Sequence, residues 1–423
     1  MKKFNINCIV AVFAAIFILT GISRSYLGGL KTGLVDMFLS VKSLDMAGLV
    51  DAEASIESAS ERLRTHGIMM DVDSIRNNLL GTRVVFKDDI TVIKANSGSL
   101  IRKSSGFETE TSVERIQQIK TIAEDNGAAF LYCNVPKKNL YETGPSNVGD
   151  YYQESHNLFI SEIDKARIPV LDFSKMFEEN NVSGRDVYFY TDHHWKPIYG
   201  FMAATAICEE LSKRYGFAYD EYYTDIRHYN IQNYANWFLG SYGKKVGRYF
   251  TWHGADDFEL ITPNFETSLI EERPLENKRR EGTFEETVLF LSHLEKNYYH
   301  KNTYWTYSDG NHGLQIVKNN LNLNGKKILI VRDSFACVVT PFLSLQTKEL
   351  HVCDIRDNVI KEERINIDRY IREQKPDYVI LIFGEGNIGG DNIVITSQKN
   401  TTKSILMDNK RLGKCRRSSY YEF

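Results

Sequence analysis

Lys327-Ile328-Leu329-Ile330-Val331-Arg332-Asp333-Ser334-Phe335 decides the fold. Its aliphatic run is too short for a helix and leaves neither face polar, the pattern of a strand buried on both sides. Arg332-Asp333-Ser334 ends the run, and Phe335 to Leu345 reads as the helix that follows. The same grammar recurs downstream as strand Leu350 to Ile355, helix Val359 to Gln374 and strand Asp377 to Phe383. Upstream, Val113, Ile116, Ile119 and Ile122 recur at helical spacing as far as Asn126-Gly127, and Ala128 to Val135 follows as a strand closed by Pro136. Asp150 to Lys165 reads as a helix, Ile168 to Phe173 as a short buried strand, and Pro197 to Gly216 as a helix with proline in its first turn. Strands alternating with helices in this way predict an α/β fold, a parallel sheet with helices on both faces.

Working outward, the rhythm stops between about 217 and 325, where Tyr, Asn, Gly and His abound without a sustained period. This stretch is expected to be a long insertion into one α/β domain spanning 84–390. At the front of that domain Val84-Val85-Phe86 and Ile90-Thr91-Val92-Ile93 flank Lys87-Asp88-Asp89 as a hairpin, and Ser97 to Phe107 reads as a loop or linker. Residues 25–83 are expected to form a helical stalk. Phe4 to Ser23 is uncharged and follows Lys2 and Lys3, long enough at roughly 30 Å of helix to cross a bilayer. No Ala-x-Ala cleavage site or Leu-x-Gly-Cys lipidation box follows it, so 1–24 is expected to be a retained signal anchor and transmembrane helix. Two lysines before the span and Arg24 after it place the body outside the cytoplasm, at the cell membrane.

The composition, 42% hydrophobic and 25% charged, excludes disordered and collagen-like chains and a polytopic membrane protein. The net charge of -3 hides two basic ends, 1–24 and 391–423, around an acidic body. With no basic stripe on that body, nucleic acid is not an expected partner. Six cysteines show no CxxC and no zinc spacing, and a free buried thiol explains them best. The 24 Tyr and 23 Phe are the compositional oddity, suited to packing or to stacking on sugars.

Three segments at strand ends carry the chemistry, because ligands of open α/β sheets bind outside the carboxyl ends of the strands. Ser334, where a buried strand turns into a helix, has the position of a nucleophile, with its own N–H facing a developing oxyanion; an ordinary helix-capping serine has the same position. In Tyr190-Thr191-Asp192-His193-His194-Trp195, an extended backbone puts Asp192 and His194 on one face, where the carboxylate orients the imidazole that takes a serine proton. A structural His-His pair is the bland alternative. Metal ligation by Asp192, His193 and His194 would call for further clustered carboxylates such as an early Asp-x-Asp after a strand, and no strand reading is followed by one, so no metal and no cofactor are expected. Phe383-Gly384-Glu385-Gly386-Asn387 closes a buried strand and can present the Asn387 amide toward the serine; alone it is also just a turn.

Asp192-His193-His194-Trp195 is the tetrapeptide that names the DHHW family, and the chain resembles that family and the related alginate O-acetylation proteins from about 84 to 390. Val135-Pro136-Lys137-Lys138, Phe238-Leu239-Gly240-Ser241 and Cys353-Asp354-Ile355-Arg356 support the resemblance. It implies an SGNH-hydrolase-like fold in permuted order, with Asp192 and His194 preceding Ser334 in the triad and Asn387 joining the Ser334 N–H as oxyanion donor. The familiar Gly-Asp-Ser is Arg332-Asp333-Ser334 here. The expected activity is that of an extracytoplasmic O-acetyltransferase or acetylesterase acting on a cell-surface or secreted polysaccharide. Acetyl-coenzyme A is cytosolic, so the resemblance implies a multispanning membrane acyltransferase as acyl donor. Trp195, Tyr242 and Trp252, with Tyr249, Tyr298, Tyr299, Tyr304 and Trp305 of the insertion, are the candidate glycan surface. The rival expectation is a non-catalytic glycan-binding subunit of a polysaccharide modification or export complex.

Overall fold

The computed structural model describes residues 66–87, 90–322, 325–356, 365–390, 393 and 395. The expected signal anchor, most of the expected stalk and nearly all of the basic tail lie outside the described residues. Among the described residues, no helix is long and apolar enough to cross a membrane. The chain divides into two units at Gly81. In the first, α1 (His66–Leu79) carries Ile68, Val72 and Leu79 exposed.

The second unit opens with an antiparallel sheet of β1 (Val84–Lys87), β2 (Ile90–Lys94) and β3 (Leu100–Arg102). The hairpin lies where the alternation placed it. β3 corrects the reading of 97–107 as linker: Leu100 and Ile101 are buried, but two apolar residues between Gly98 and Ser104 are too few to show a period.

The central sheet has eight strands, in the order β5 (Val170–Asp172), β4 (Ala129–Val135), β13 (Tyr378–Gly384), β11 (Lys327–Arg332), β12 (Glu349–Asp354), β10 (Gln315–Asn319), β8 (Leu269–Arg273) and β9 (Lys278–Gly282). The first five are parallel, as expected. The last three add antiparallel strands at one side, so the sheet is mixed. Successive residues of the parallel strands bury on opposite faces. Leu131, Ile328, Ile330 and Ile380 meet Phe177 and Ile207 of α4 (Phe173–Glu179) and α5 (Pro197–Tyr215). Phe130, Leu329, Val331 and Val379 meet Ile119 and Phe159 of α2 (Thr109–Asp125) and α3 (Tyr152–Lys165).

Two further expectations are corrected. The stretch 217–325 is not simply inserted between strands of the sheet, because β8, β9 and β10 come from it and extend the sheet. It also forms the hairpin of β6 (Tyr229–Phe238) and β7 (Asp256–Pro263). Phe335 to Leu345 is not one helix: a tight turn of 3-10 type, Ser334–Val338, precedes a short α-helix, Thr340–Ser344, with Pro341 in its first turn. In the expected helix Val359 to Gln374, the helical part among the described residues is Ile367–Gln374.

Candidate active site

Ser334 stands two residues beyond the end of β11, and the turn that presents it is built by the intervening Asp333. The Asp333 backbone is extended, its Oδ1 accepts the Phe335 N–H at 3.0 Å, and its Oδ2 accepts the Gly384 N–H and Asn387 Nδ2, each at 2.8 Å. Arg332, where the related motif has glycine, needs no left-handed backbone. Its buried guanidinium turns under the loop, donating to Gly310 O at 2.8 Å and Asn311 Oδ1 at 2.6 Å.

The Asp-His-His-Trp segment meets this turn from α5's side. His194 Nε2 lies 2.8 Å from Ser334 Oγ, and His194 Nδ1 lies 2.6 Å from Asp192 Oδ1. A carboxylate can only accept, so Nδ1 carries the proton, and in the neutral ring Nε2 accepts from the serine hydroxyl. Asp192 is buried, which works against its charge. The charges of His193 and His194, with bonds from His194 and the Ser241 N–H, outweigh burial and hold the carboxyl well below the usual carboxylate range. The Tyr304 ring stacks on His194 at 4.2 Å and 18°, and Phe335 meets its edge at 5.2 Å, which fixes the ring plane.

Backbone contacts hold the segment itself. Lys138, buried, directs its ammonium at the carbonyls of Leu100, Phe189, Tyr190 and Asp192, at 2.8, 2.5, 3.0 and 3.1 Å. Gly240 passes so close that an added Cβ would lie 2.2 Å from Asp192 Cβ, and this lets the Ser241 N–H reach Asp192 Oδ2. These contacts give a physical reason for the Lys138 and Gly240-Ser241 positions of the two supporting motifs.

Asp192, His193 and His194 bring ligand atoms within 4.8 Å of one another, a group that could hold a metal ion. The atoms are engaged already: both Asp192 oxygens and both His194 nitrogens bond within the site, and His193 Nδ1 lies 3.1 Å from Ser241 Oγ. Burial, followed by the neighbouring charge of His194, lowers the His193 pKa.

The structure brings Ser334, His194 and Asp192 together and places Asn387 beside Asp333, one residue from the serine. Among the described residues, no acceptor bonds the Ser334 N–H. Trp195 is corrected as a glycan contact: it is 0% exposed, and its indole N–H donates to Phe335 O at 2.9 Å, bracing the serine turn from beneath. Tyr304 is likewise buried under His194. Tyr242 stands 5.5 Å from the His193 ring, half-buried, and Trp252 is 80% exposed. The Ser241 N–H and Lys138 escaped sequence reasoning as site groups; the glycine before Ser241 and the paired lysines after Pro136 were the available signals.

Fold and site together define an SGNH-hydrolase-like α/β protein with a serine–histidine–aspartate arrangement. Residues 97–225 match the family model described as SGNH hydrolase-like domain, acetyltransferase AlgX. That match contains Asp192 and His194 and ends before Ser334. Among solved structures, PatB1 of Bacillus cereus aligns over 73% of this chain and 100% of its own, at 17% identity and TM-score 0.59. A second PatB1 structure carries a sulfonyl adduct and gives TM-score 0.58 at 17% identity, over 72% of this chain and 99% of its own. A DHHW family protein from Eubacterium siraeum aligns over 73% of this chain and 95% of its own, at 18% identity and TM-score 0.54. At these identities the likeness is one of fold. No curated protein matches. The chain thus resembles the DHHW and AlgX-type proteins that its tetrapeptide indicated.

Proposed function

We propose that the protein is a serine-dependent O-acetyltransferase or acetylesterase acting on a cell-surface or secreted polysaccharide. The observation that carries this reading is the chain of contacts from Asp192 through His194 to Ser334 Oγ. A glycan-binding subunit without turnover has no need of it. Ser334 Oγ attacks the acetyl carbonyl while its proton passes to His194 Nε2, and His194 returns that proton to the departing group. A sugar hydroxyl then attacks the acetyl-serine and gives its proton to His194, which passes it to Ser334 Oγ as the bond from that oxygen to the acetyl carbon breaks, so the sugar leaves as the acetyl ester and the serine is restored; water in its place completes hydrolysis. The Ser334 N–H and the second N–H of the Asn387 amide are the proposed oxyanion donors.

The acyl donor is proposed to be a multispanning membrane acyltransferase, with 1–24 anchoring the protein and the body outside the cytoplasm. Tyr242 and Trp252 are the proposed sugar contacts.

The test is to incubate the protein with an activated acetyl ester and search the Ser334 peptide for an acetyl adduct by mass spectrometry. The adduct is expected in the wild type, and Ser334→Ala is expected to lose both adduct and ester turnover, by about 10³-fold or more. Equal turnover in the two proteins would refute the reading.

A further inference from the structure

On the flank of the serine turn away from His194 lies a second buried ion pair that the triad leaves unused. Glu385 follows β13 and is fully buried. Its Oε1 accepts Asn134 Nδ2 at 2.6 Å, its Oε2 accepts the Tyr152 hydroxyl at 2.6 Å, and His156 Nδ1 lies 2.9 Å from both oxygens. Both oxygens accept hydrogen bonds, an arrangement that suits a carboxylate. A carboxylate taken out of water is stabilised by a countercharge, and among the described residues His156 is the group bonded to it that can carry one.

The partners come from β4 and α3, and the loop they hold is short. Within Gly384-Glu385-Gly386-Asn387, the Gly384 N–H and the Asn387 amide both reach Asp333, the residue before Ser334. Gly386 has a φ of +76°, and a Cβ there would lie 2.5 Å from the Phe107 side chain. The loop is therefore clamped at Asp333 on one side and at the His156–Glu385 pair on the other, with no slack at Phe107.

We propose that His156 and Glu385 are positioning residues of the serine site: their bond sets the 384–387 loop, and hence the Asn387 amide, and grips it most tightly while the His156 ring carries both protons. The inference rests on the reading of Ser334 as the acylated nucleophile.

The groups facing His156 are Glu385 at the end of β13, Asp172 of β5, Lys175 of α4 and Tyr152 of its own helix. Glu385 also faces Lys137, Tyr132, Tyr141 and Tyr188. Burial opposes a charge on His156, but the bond and charge of Glu385 outweigh it and raise its pKa above the ordinary imidazole value. A raised pKa fixes the sign. The charge-assisted pair is at full strength below the ordinary imidazole value and weakens to a neutral N–H bond as pH rises through the folded value.

The experiment combines turnover of an activated acetyl ester, measured against pH, with NMR of the full chain labelled with ¹⁵N at glycine and histidine. In the wild type, kcat is expected to fall through a one-proton step on the alkaline side, and the Gly384 and Gly386 amide signals to move through the same step as His156. In His156→Gln the alkaline step disappears and kcat sits about 10- to 100-fold below the wild-type maximum, with KM within about twofold. The proposal is overturned if the glycine signals ignore the His156 titration, or if the alkaline step persists in a folded His156→Gln. The NMR arm needs neither a variant nor turnover. A wild type without acyl-serine would therefore sink the enzymatic reading while the loop's dependence on His156 is still decided.

Discussion

Asp192 engages both carboxylate oxygens, and that makes it the most informative single residue. Oδ1 orients His194 and also takes the His194 backbone N–H at 2.9 Å, while Oδ2 takes the Ser241 N–H. Asp192→Asn keeps the shape but turns one acceptor into a donor, so it can face His194 Nδ1 with an N–H and favour the wrong tautomer. We expect kcat for an activated acetyl ester to fall by about 10² to 10⁴-fold with KM little changed, checked by steady-state kinetics. The carboxyl is held below its ordinary range, so its contribution to stability is present above the unfolded-state pKa and is lost as pH falls through the folded value. Denaturant melts of the variant should therefore lose less stability between neutral and strongly acid pH than those of the wild type.

At the scale of elements, the site depends on one buried cation. Lys138 joins β3, through Leu100 O, to the backbone of 189–192, so it ties a small sheet to the segment that carries Asp192 and His194. Lys138→Met fits the space but leaves several buried carbonyls without a donor, a change expected to cost about 3 to 5 kcal/mol in denaturant unfolding. A loss under 1 kcal/mol would show that water replaces the ammonium. The parallel strands were legible because each is a short aliphatic run ending at a polar or glycine residue, Ser334 because it follows such a run, and Asp192 and His194 because of the tetrapeptide that holds them. β8 was not legible: it turns Leu269, Glu271 and Arg273 inward, with Arg273 Nε donating to Glu271 Oε1 at 2.5 Å, so an internal ion pair stands where an apolar alternation would have shown. Ser241 acts through its backbone N–H, and Lys138 aims its ammonium at backbone carbonyls, so neither has a side-chain partner that a sequence pattern would show. Trp195 misled for a different reason, since an aromatic beside a catalytic motif looks the same in sequence whether it faces sugar or core.

At the scale of the molecule, the aromatic surplus among the described residues is mostly internal. Phe173, Phe177 and Phe335 surround Trp195; Phe189 meets Phe238, Phe258 and Tyr304; and Tyr304 in turn lies on His194. The enrichment in Tyr and Phe thus builds a rigid bed for the imidazole more than a surface for glycan. Trp252 is among the exceptions and is the most exposed aromatic of the described residues. Its neighbour His253 stacks on Tyr190 at 3.9 Å, two residues before Asp192, so the loop bearing this exposed indole leans on the same segment that carries the triad. A sugar face resting on it would approach from the Asp192 side, and the contact would be made by a polymeric acceptor but not by a small ester. Trp252→Ala should therefore leave acetylation of Ser334 by an activated ester within about twofold of wild type. The KM for a polysaccharide acceptor should rise by about 5- to 30-fold, the worth of one stacked ring at 1 to 2 kcal/mol. Acceptor kinetics run beside adduct formation separate the two effects: an unchanged acceptor KM would move the glycan surface elsewhere, and a parallel loss in both would show that Trp252 supports the site itself.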